Sequence, residues 1–191
     1  MIKRITLLVA VVALSTAVFG QMTFGVKGGL NMTNMKFSAS GSSVSNKTLV
    51  GYEVGGFANF SINDKMTFQP ELLFAQYGCK LDKNLYGTEM TWKMNYISIP
   101  LMFKYAMGAI NLQAGPQLGY LLSSKVDGND AMDGMAKLDY GITLRAGYET
   151  ESGLGLNVGY YFGLANLNDD STVDMTIKNS GLQVGVSYKF K

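Results

Sequence analysis

The chain has 191 residues, enough for one domain, and only 16% of them are charged, against about 25% in soluble proteins. Without Lys3 and Arg4 the basic and acidic residues are equal in number, which argues against a nucleic-acid partner. Histidine is absent, which excludes a Ser–His–Asp centre and imidazole metal ligation, so we predict no enzyme and no cofactor or metal.

The first 20 residues have the pattern of an export signal. The basic pair Lys3–Arg4 precedes an almost wholly apolar run, 5–19, and small residues then suit cleavage before Gln21. A transmembrane helix needs about 20 apolar residues, and this run is shorter. We therefore predict a cleaved signal peptide over 1–20 and a single exported domain over 21–191.

From residue 22 onwards, apolar and polar residues alternate, which is typical of strands. Eight segments show this pattern, near 22–36, 49–62, 66–80, 92–106, 110–120, 138–148, 154–162 and 182–190. The connections alternate in length, with short links at 63–65, 108 and 151–153 and long ones at 38–48, 81–91, 123–136 and 167–179. Short turns on one side and long loops on the other are typical of outer-membrane barrels.

These features predict an all-β fold, an eight-stranded antiparallel up-and-down transmembrane β-barrel. A soluble lipocalin-like barrel is the main alternative, because a period of two does not say which face is inside. The last segment favours the membrane, since its apolar face is nearly unbroken: Leu182, Val184, Val186, Tyr188 and Phe190. In a bilayer only a closed barrel satisfies every backbone group of such strands.

With the apolar face towards lipid, the polar face must line the lumen. We expect a polar network there, formed by Lys27, Glu53, Glu71, Lys104, Gln113, Gln117, Arg145 and Asn157. Both signs of charge are present, and eight strands enclose only enough room for side chains. A plug of neutralised partners is therefore favoured over a conducting constriction.

Aromatic residues at the strand ends predict two girdles at the membrane interfaces. They are Phe60, Tyr105, Tyr148, Tyr188 and Phe190 on the short-turn side, and Tyr52, Tyr120 and Tyr140 on the other. The stretch 127–130, Asp-Gly-Asn-Asp, offers oxygen ligands that hard cations prefer, but it lacks calcium-loop spacing, so a solvated loop is favoured. Cys79 is the only cysteine, which excludes an intramolecular disulfide.

Four stretches resemble a known family: Gly25–Asn31, Glu71–Phe74, Tyr96–Tyr105 and Gly115–Tyr120. Together they are similar to the outer-membrane β-barrel domain family of small porin-like proteins, over nearly all of residues 22–191. The resemblance implies an eight-stranded barrel in the bacterial outer membrane. It implies little about activity, because this family name describes an architecture.

Three functions remain open at this point. The first is a structural or interaction barrel whose long, polar loops meet lipopolysaccharide, membrane lipid or envelope proteins. The second is a narrow passive channel for small solutes or ions, suggested by the mixed charges of the lumen. The third, an accessory subunit of a secretion apparatus, rests on family analogy alone.

Overall fold

The computed structural model describes residues 22–39, 42–81, 87–170 and 175–190. The predicted signal peptide lies outside these ranges, as do parts of three predicted long loops. The strands of the described residues are β1 (Met22–Ala39), β2 (Ser42–Ser45), β3 (Lys47–Ser61), β4 (Met66–Leu81), β5 (Met90–Met107), β6 (Ile110–Val126), β7 (Asn129–Asp130), β8 (Leu138–Glu149), β9 (Leu154–Gly163) and β10 (Thr176–Lys189). Within the same ranges, no helix is long and apolar enough to cross a membrane.

Eight of these strands form a closed antiparallel barrel in the order β1, β3, β4, β5, β6, β8, β9 and β10. The ring closes between β10 and β1, which pair from Gly25 opposite Lys189 to Ser38 opposite Thr176. Closure leaves none of these eight strands at a sheet edge, as a bilayer requires, while the short β2 and β7 pair only with β1 and β6. The predicted eight-stranded antiparallel barrel is therefore confirmed.

The outer surface of the barrel is apolar. Val184 and Leu144 are 42% and 49% exposed, whereas Arg145, the neighbour of Leu144 on the opposite face, is only 4% exposed. Seven of the eight predicted girdle aromatics are among the exposed side chains: Tyr52, Tyr105, Tyr120, Tyr140, Tyr148, Tyr188 and Phe190. An apolar belt of this extent is suited to lipid rather than to water.

The strands are longer on the long-loop side than the hydrophobic pattern predicted. β1 continues to Ala39, β6 continues to Val126 and β10 already begins at Thr176. The predicted loop limits at 38, 123 and 179 are therefore wrong. The alternation of apolar and polar residues ends at the edge of the lipid-facing surface. The hydrogen-bonded pairing of the strands continues beyond that edge, for example between Ser38 and Thr176.

The stretch that suggested a cation site is a hairpin turn. Asp127 and Gly128 have φ values of 49° and 89° and join β6 to β7, with Val126 opposite Asn129. Positive φ at both central positions is the requirement of a tight hairpin turn, which Asp-Gly meets. The Asp127 Oδ1 accepts a hydrogen bond from the Thr91 N–H at 2.8 Å. Among the described residues no group of three or more acidic, cysteine or histidine side chains could hold a metal ion.

Glycines lie opposite long charged side chains of the lumen, at positions where neighbouring strands approach closely. Gly55 lies opposite Lys27, and a Cβ at Gly55 would lie 2.0 Å from the Leu72 carbonyl oxygen. Gly159 lies opposite Arg145, and a Cβ there would lie 3.1 Å from the Arg145 Cβ. A small barrel brings neighbouring strands and their side chains this close, so only glycine fits.

Candidate functional site: the barrel interior

Four buried charges form an ionic cluster in the half of the barrel nearer the short turns: Lys27, Glu53, Glu71 and Arg145. All four are at most 4% exposed. The Lys27 Nζ lies 2.7 Å from the Glu53 Oε1 and 3.3 Å from the Glu71 Oε2. Arg145 donates to both carboxylate oxygens of Glu71, at 2.6 and 3.3 Å. The cluster is neutral overall and reaches across the lumen from β4 to β8.

Amide side chains occupy the remaining positions around this ionic cluster. Gln69 donates to the Glu71 Oε1 at 2.8 Å, and the Gln113 Oε1 accepts from Arg145 at 3.0 Å. On the other side Gln183 contacts the Glu53 Oε2 at 3.5 Å. Buried charges are tolerated when they are both paired and hydrogen-bonded. Five of the eight predicted network residues thus lie together: Lys27, Glu53, Glu71, Gln113 and Arg145.

Lys104 belongs to a second charge cluster at the short-turn end. Its Nζ lies 2.5 Å from the Glu149 Oε2, and Lys189 pairs with the other oxygen of the same carboxylate. Glu149 was not among the predicted network residues. The sequence pattern nevertheless predicts that Glu149 faces the lumen, because it lies four residues after Arg145 on the same odd-numbered, inward-facing side of β8.

Gln117 belongs to a layer of tyrosines above the ionic cluster. It donates to the Tyr77 hydroxyl at 2.8 Å and accepts from the Thr143 hydroxyl at 2.8 Å. The Tyr77 ring lies 5.5 Å from that of Tyr96 and 5.9 Å from that of Tyr161, measured between centroids. Three large, fully buried rings therefore fill the cross-section of the barrel at this level.

A single buried carboxylate, Asp139, completes the tyrosine layer. The Tyr161 hydroxyl donates to its Oδ1 at 2.8 Å, and the Asn179 amide donates to its Oδ2 at 3.2 Å. Asp139 and Tyr161 both lie on the polar face of the sequence pattern. Of this layer the eight predicted residues include only Gln117; the tyrosines were missed because the prediction was based on charge and amide groups, and Asp139 was missed although it has both the charge and the position of a lumen residue.

Above the tyrosines the interior is mainly apolar, whereas the alternation predicted that polar side chains face the lumen. This methionine-rich core contains Met35, Ala75, Tyr77, Cys79, Leu81, Met94, Tyr96, Leu121, Met135, Ala165, Leu167 and Ile177. Met135, Ala165 and Leu167 come from the long loops, which fold inwards over the barrel. Inward residues at this level therefore contact protein instead of water, and apolar side chains are favoured.

Two long loops form an ordered cap over this core. The Ala136 N–H donates to the Leu167 carbonyl at 2.9 Å, and the Asp169 N–H donates to the Gly134 carbonyl at 2.9 Å. Met135 and Asn168 form an isolated antiparallel β-bridge between the same two loops. The loop after β7 and the loop after β9 are thus held together above the lumen.

Asn157 stays apart from the clusters. It is half-buried, and its Oδ1 makes no hydrogen bond in the described part of the chain. Beside it, between the two charge clusters, lies a cavity of about 20 Å³ lined by residues that include Lys27, Arg145 and Glu149. A space of this size holds about one water molecule. The interior between the two charge clusters is therefore almost filled by side chains, and the tyrosine layer and the methionine-rich core occupy the levels above.

The family model of the outer membrane protein beta-barrel domain matches residues 17–169. The chain belongs to this family. Its members are barrels of the bacterial outer membrane, which places this barrel there as well. No curated protein matches the chain.

Solved structures of outer-membrane proteins are similar to this barrel. Neisserial surface protein A aligns with a TM-score of 0.60 at 18% identity, over 87% of this chain and 97% of that one. Ail, the attachment invasion locus protein of Yersinia pestis, aligns with a TM-score of 0.48 at 12% identity, over 89% and 99%. OprG of Pseudomonas aeruginosa aligns with a TM-score of 0.47 at 13% identity, over 88% and 95%. At these identities the likeness concerns architecture.

Proposed function

We propose that the protein is a non-conducting interaction barrel, which is anchored in the outer membrane and presents its loop cap to partners outside the cell. The filled interior is the observation that carries this proposal. Ions crossing the barrel would have to pass the ionic cluster, the tyrosine layer and the methionine-rich core. The two charge clusters would be a structural plug rather than a selectivity filter.

A planar-bilayer recording tests whether the barrel conducts. We expect the refolded, inserted protein to give no discrete current steps, because the cavity between the charge clusters holds about one water molecule. Arg145→Ala should be equally silent. Reproducible steps in the unaltered protein, with a size or ion preference that changes in Arg145→Ala, would establish the alternative of a narrow channel.

The cap carries more exposed acidic than basic side chains. Asp133 and Asp169 are exposed on it together with Lys137, and Asp130 lies beside it at the end of β7; no salt bridge joins the three aspartates to described residues. Charged rims of this kind steer encounters with oppositely charged surfaces. The cap would therefore receive a protein with a basic patch, either in the envelope or on another cell. The hypothesis of a secretion subunit stays a prediction, since no described contact bears on it.

Site-specific photo-crosslinking in intact cells tests the role of the cap. A photoreactive residue at Asp133 should give an adduct of discrete mass, whereas the same residue at Asp64, in a short turn on the opposite side, should not. The adduct should weaken when Asp130 and Asp169 are replaced by Asn, because the steering charge is lost. Equal adducts at both positions, or none at Asp133 in a correctly inserted barrel, would count against the proposal.

We also propose that the barrel is not an enzyme. The buried carboxylates are held by fixed partners: Glu53 and Glu71 by Lys27 and Arg145, and Glu149 by two lysines. A general base needs access to a substrate proton. Side chains that are paired and enclosed in this way serve packing better than catalysis.

A further inference from the structure

The outward side chains of β1, β5, β6 and β10 follow one order towards the long-loop side: apolar, then small and polar, then lysine. On β5 the order is Ile97, Asn95, Lys93, and on β10 it is Leu182, Ser180, Lys178. The four lysines at this level, together with Lys80 on β4, are called the lysine collar: Lys36, Lys80, Lys93, Lys125 and Lys178. Lys47 on β3 lies opposite Lys80 at the same height. The collar begins just beyond the lipid-facing belt, at the depth where lipid headgroups lie.

Two collar lysines lie directly opposite one another. Lys93 on β5 pairs in register with Lys125 on β6, and both side chains are exposed. Directly opposed like charges destabilise a sheet. No salt bridge neutralises either lysine within the described part of the chain. An anion bound between them would remove this repulsion.

Below this pair, polar side chains form a continuous row across three strands. The Gln76 amide donates to the Asn95 Oδ1 at 3.1 Å, and the Asn95 amide donates to the Ser123 hydroxyl at 2.9 Å. Lys93 and Lys125 stand over this row. The row thus separates the two cations from the lipid belt, which begins at Ile97 and Leu122.

The pair and the row line a groove of about 400 Å³ on the outer wall, formed by Gln76, Thr91, Lys93, Asn95, Lys125, Asp127 and Gly128. Asp127 is the one acidic residue among them, and its Oδ1 is held by the Thr91 N–H. Asp130 on β7 lies opposite Lys125 in register but forms no salt bridge with it, and the lining itself, with two lysines and Asp127, carries a net charge of +1. Its lining residues belong to β4, β5, the end of β6 and the turn between β6 and β7.

We propose that this groove binds a phosphate group of a phosphorylated glycolipid in the outer leaflet. Clustered lysines at the membrane surface attract anionic headgroups with roughly 1 kcal/mol each, which is about tenfold to thirtyfold in affinity for two. The acyl chains of the same lipid would lie against the apolar belt below. The proposal thus places a lipopolysaccharide contact on the strands, whereas the sequence analysis placed one on the loops. The proposal rests on the membrane-spanning fold and not on the interaction role of the cap.

Native mass spectrometry of the full chain refolded in detergent tests the groove, with bisphosphorylated lipid A as the probe. We expect the double variant Lys93→Gln, Lys125→Gln to bind it roughly tenfold to thirtyfold more weakly. The control is Lys36→Gln, Lys178→Gln, because these collar lysines are also directly opposite one another but are not among the residues that line this groove. That control should lose less than about threefold.

Three results would overturn the proposal. The first is an equal loss in both double variants, which would mean general surface charge. The second is equal binding of lipid A from which both phosphates have been removed. The third is competition by inorganic phosphate at the concentration of the lipid, which would mean a site for free phosphate. Heat-dependent gel migration of each variant verifies that the barrel is folded, and none of these results depends on the loop cap.

Discussion

Replacing Arg145 by methionine is expected to lower the free energy of unfolding of the barrel by about 3–5 kcal/mol. The variant removes the partner that donates to both oxygens of Glu71, at 2.6 and 3.3 Å. Lys27 then faces two buried carboxylates alone. The cluster acquires a net negative charge in a region of low dielectric, and that charge is the main cost.

The control for this prediction is the double variant Arg145→Met, Glu71→Leu. It leaves Lys27 with Glu53 as a neutral pair, at 2.7 Å, and should recover most of the lost stability. Denaturant unfolding of the barrel in lipid vesicles measures both variants. Trp92, the single tryptophan of the chain, reports the transition by its fluorescence. If the double variant is as unstable as the single one, charge burial is not the cause.

The second large effect is expected on the lipid-facing side. Val184→Arg should cost about 2–4 kcal/mol, because Val184 lies in the middle of β10 and a cation there is far from either interface. Its cross-strand neighbours, Leu30 and Val158, are also exposed and apolar. Unfolding in vesicles measures the change, with Val184→Ala as the reference for lost side-chain volume.

The matched control is Leu138→Arg at the long-loop end of β8. Leu138 is 64% exposed and lies near the headgroups, where the same substitution should cost at most about 1 kcal/mol. A larger loss of stability for Val184→Arg than for Leu138→Arg would identify lipid as the medium that surrounds the barrel. Similar small costs at both positions would instead indicate a surface that faces water.

The strand positions could be predicted because successive side chains of a strand point to opposite faces, and the two faces of this barrel have different surroundings. The inside and outside of β8 and β10 were correct for this reason, with Arg145 and Gln183 inside and Leu144 and Val184 outside. The alternation identifies the face of a residue but not its height along the barrel axis. Gln117 and Lys104 therefore share a face with the ionic cluster but lie in other layers.

The methionine-rich core could not be predicted from local patterns. Met35 and Cys79 have the parity of lumen residues, so their inward direction was readable in principle. Their apolar character is explained only by loop residues such as Met135 and Leu167, which cover them. Those contacts depend on how two distant loops meet, and the period of a single strand carries no information on that.

The contact between Glu71 and Arg145 has a consequence for the lifetime of the barrel. These residues are 74 positions apart, on strands that are not neighbours in the sheet. Their side chains meet only once the strands curve into a tube, so the contact forms late in folding. Interactions that are absent from the transition state slow unfolding without speeding folding. The ionic cluster would therefore slow the unfolding of an inserted barrel without changing the rate at which it folds.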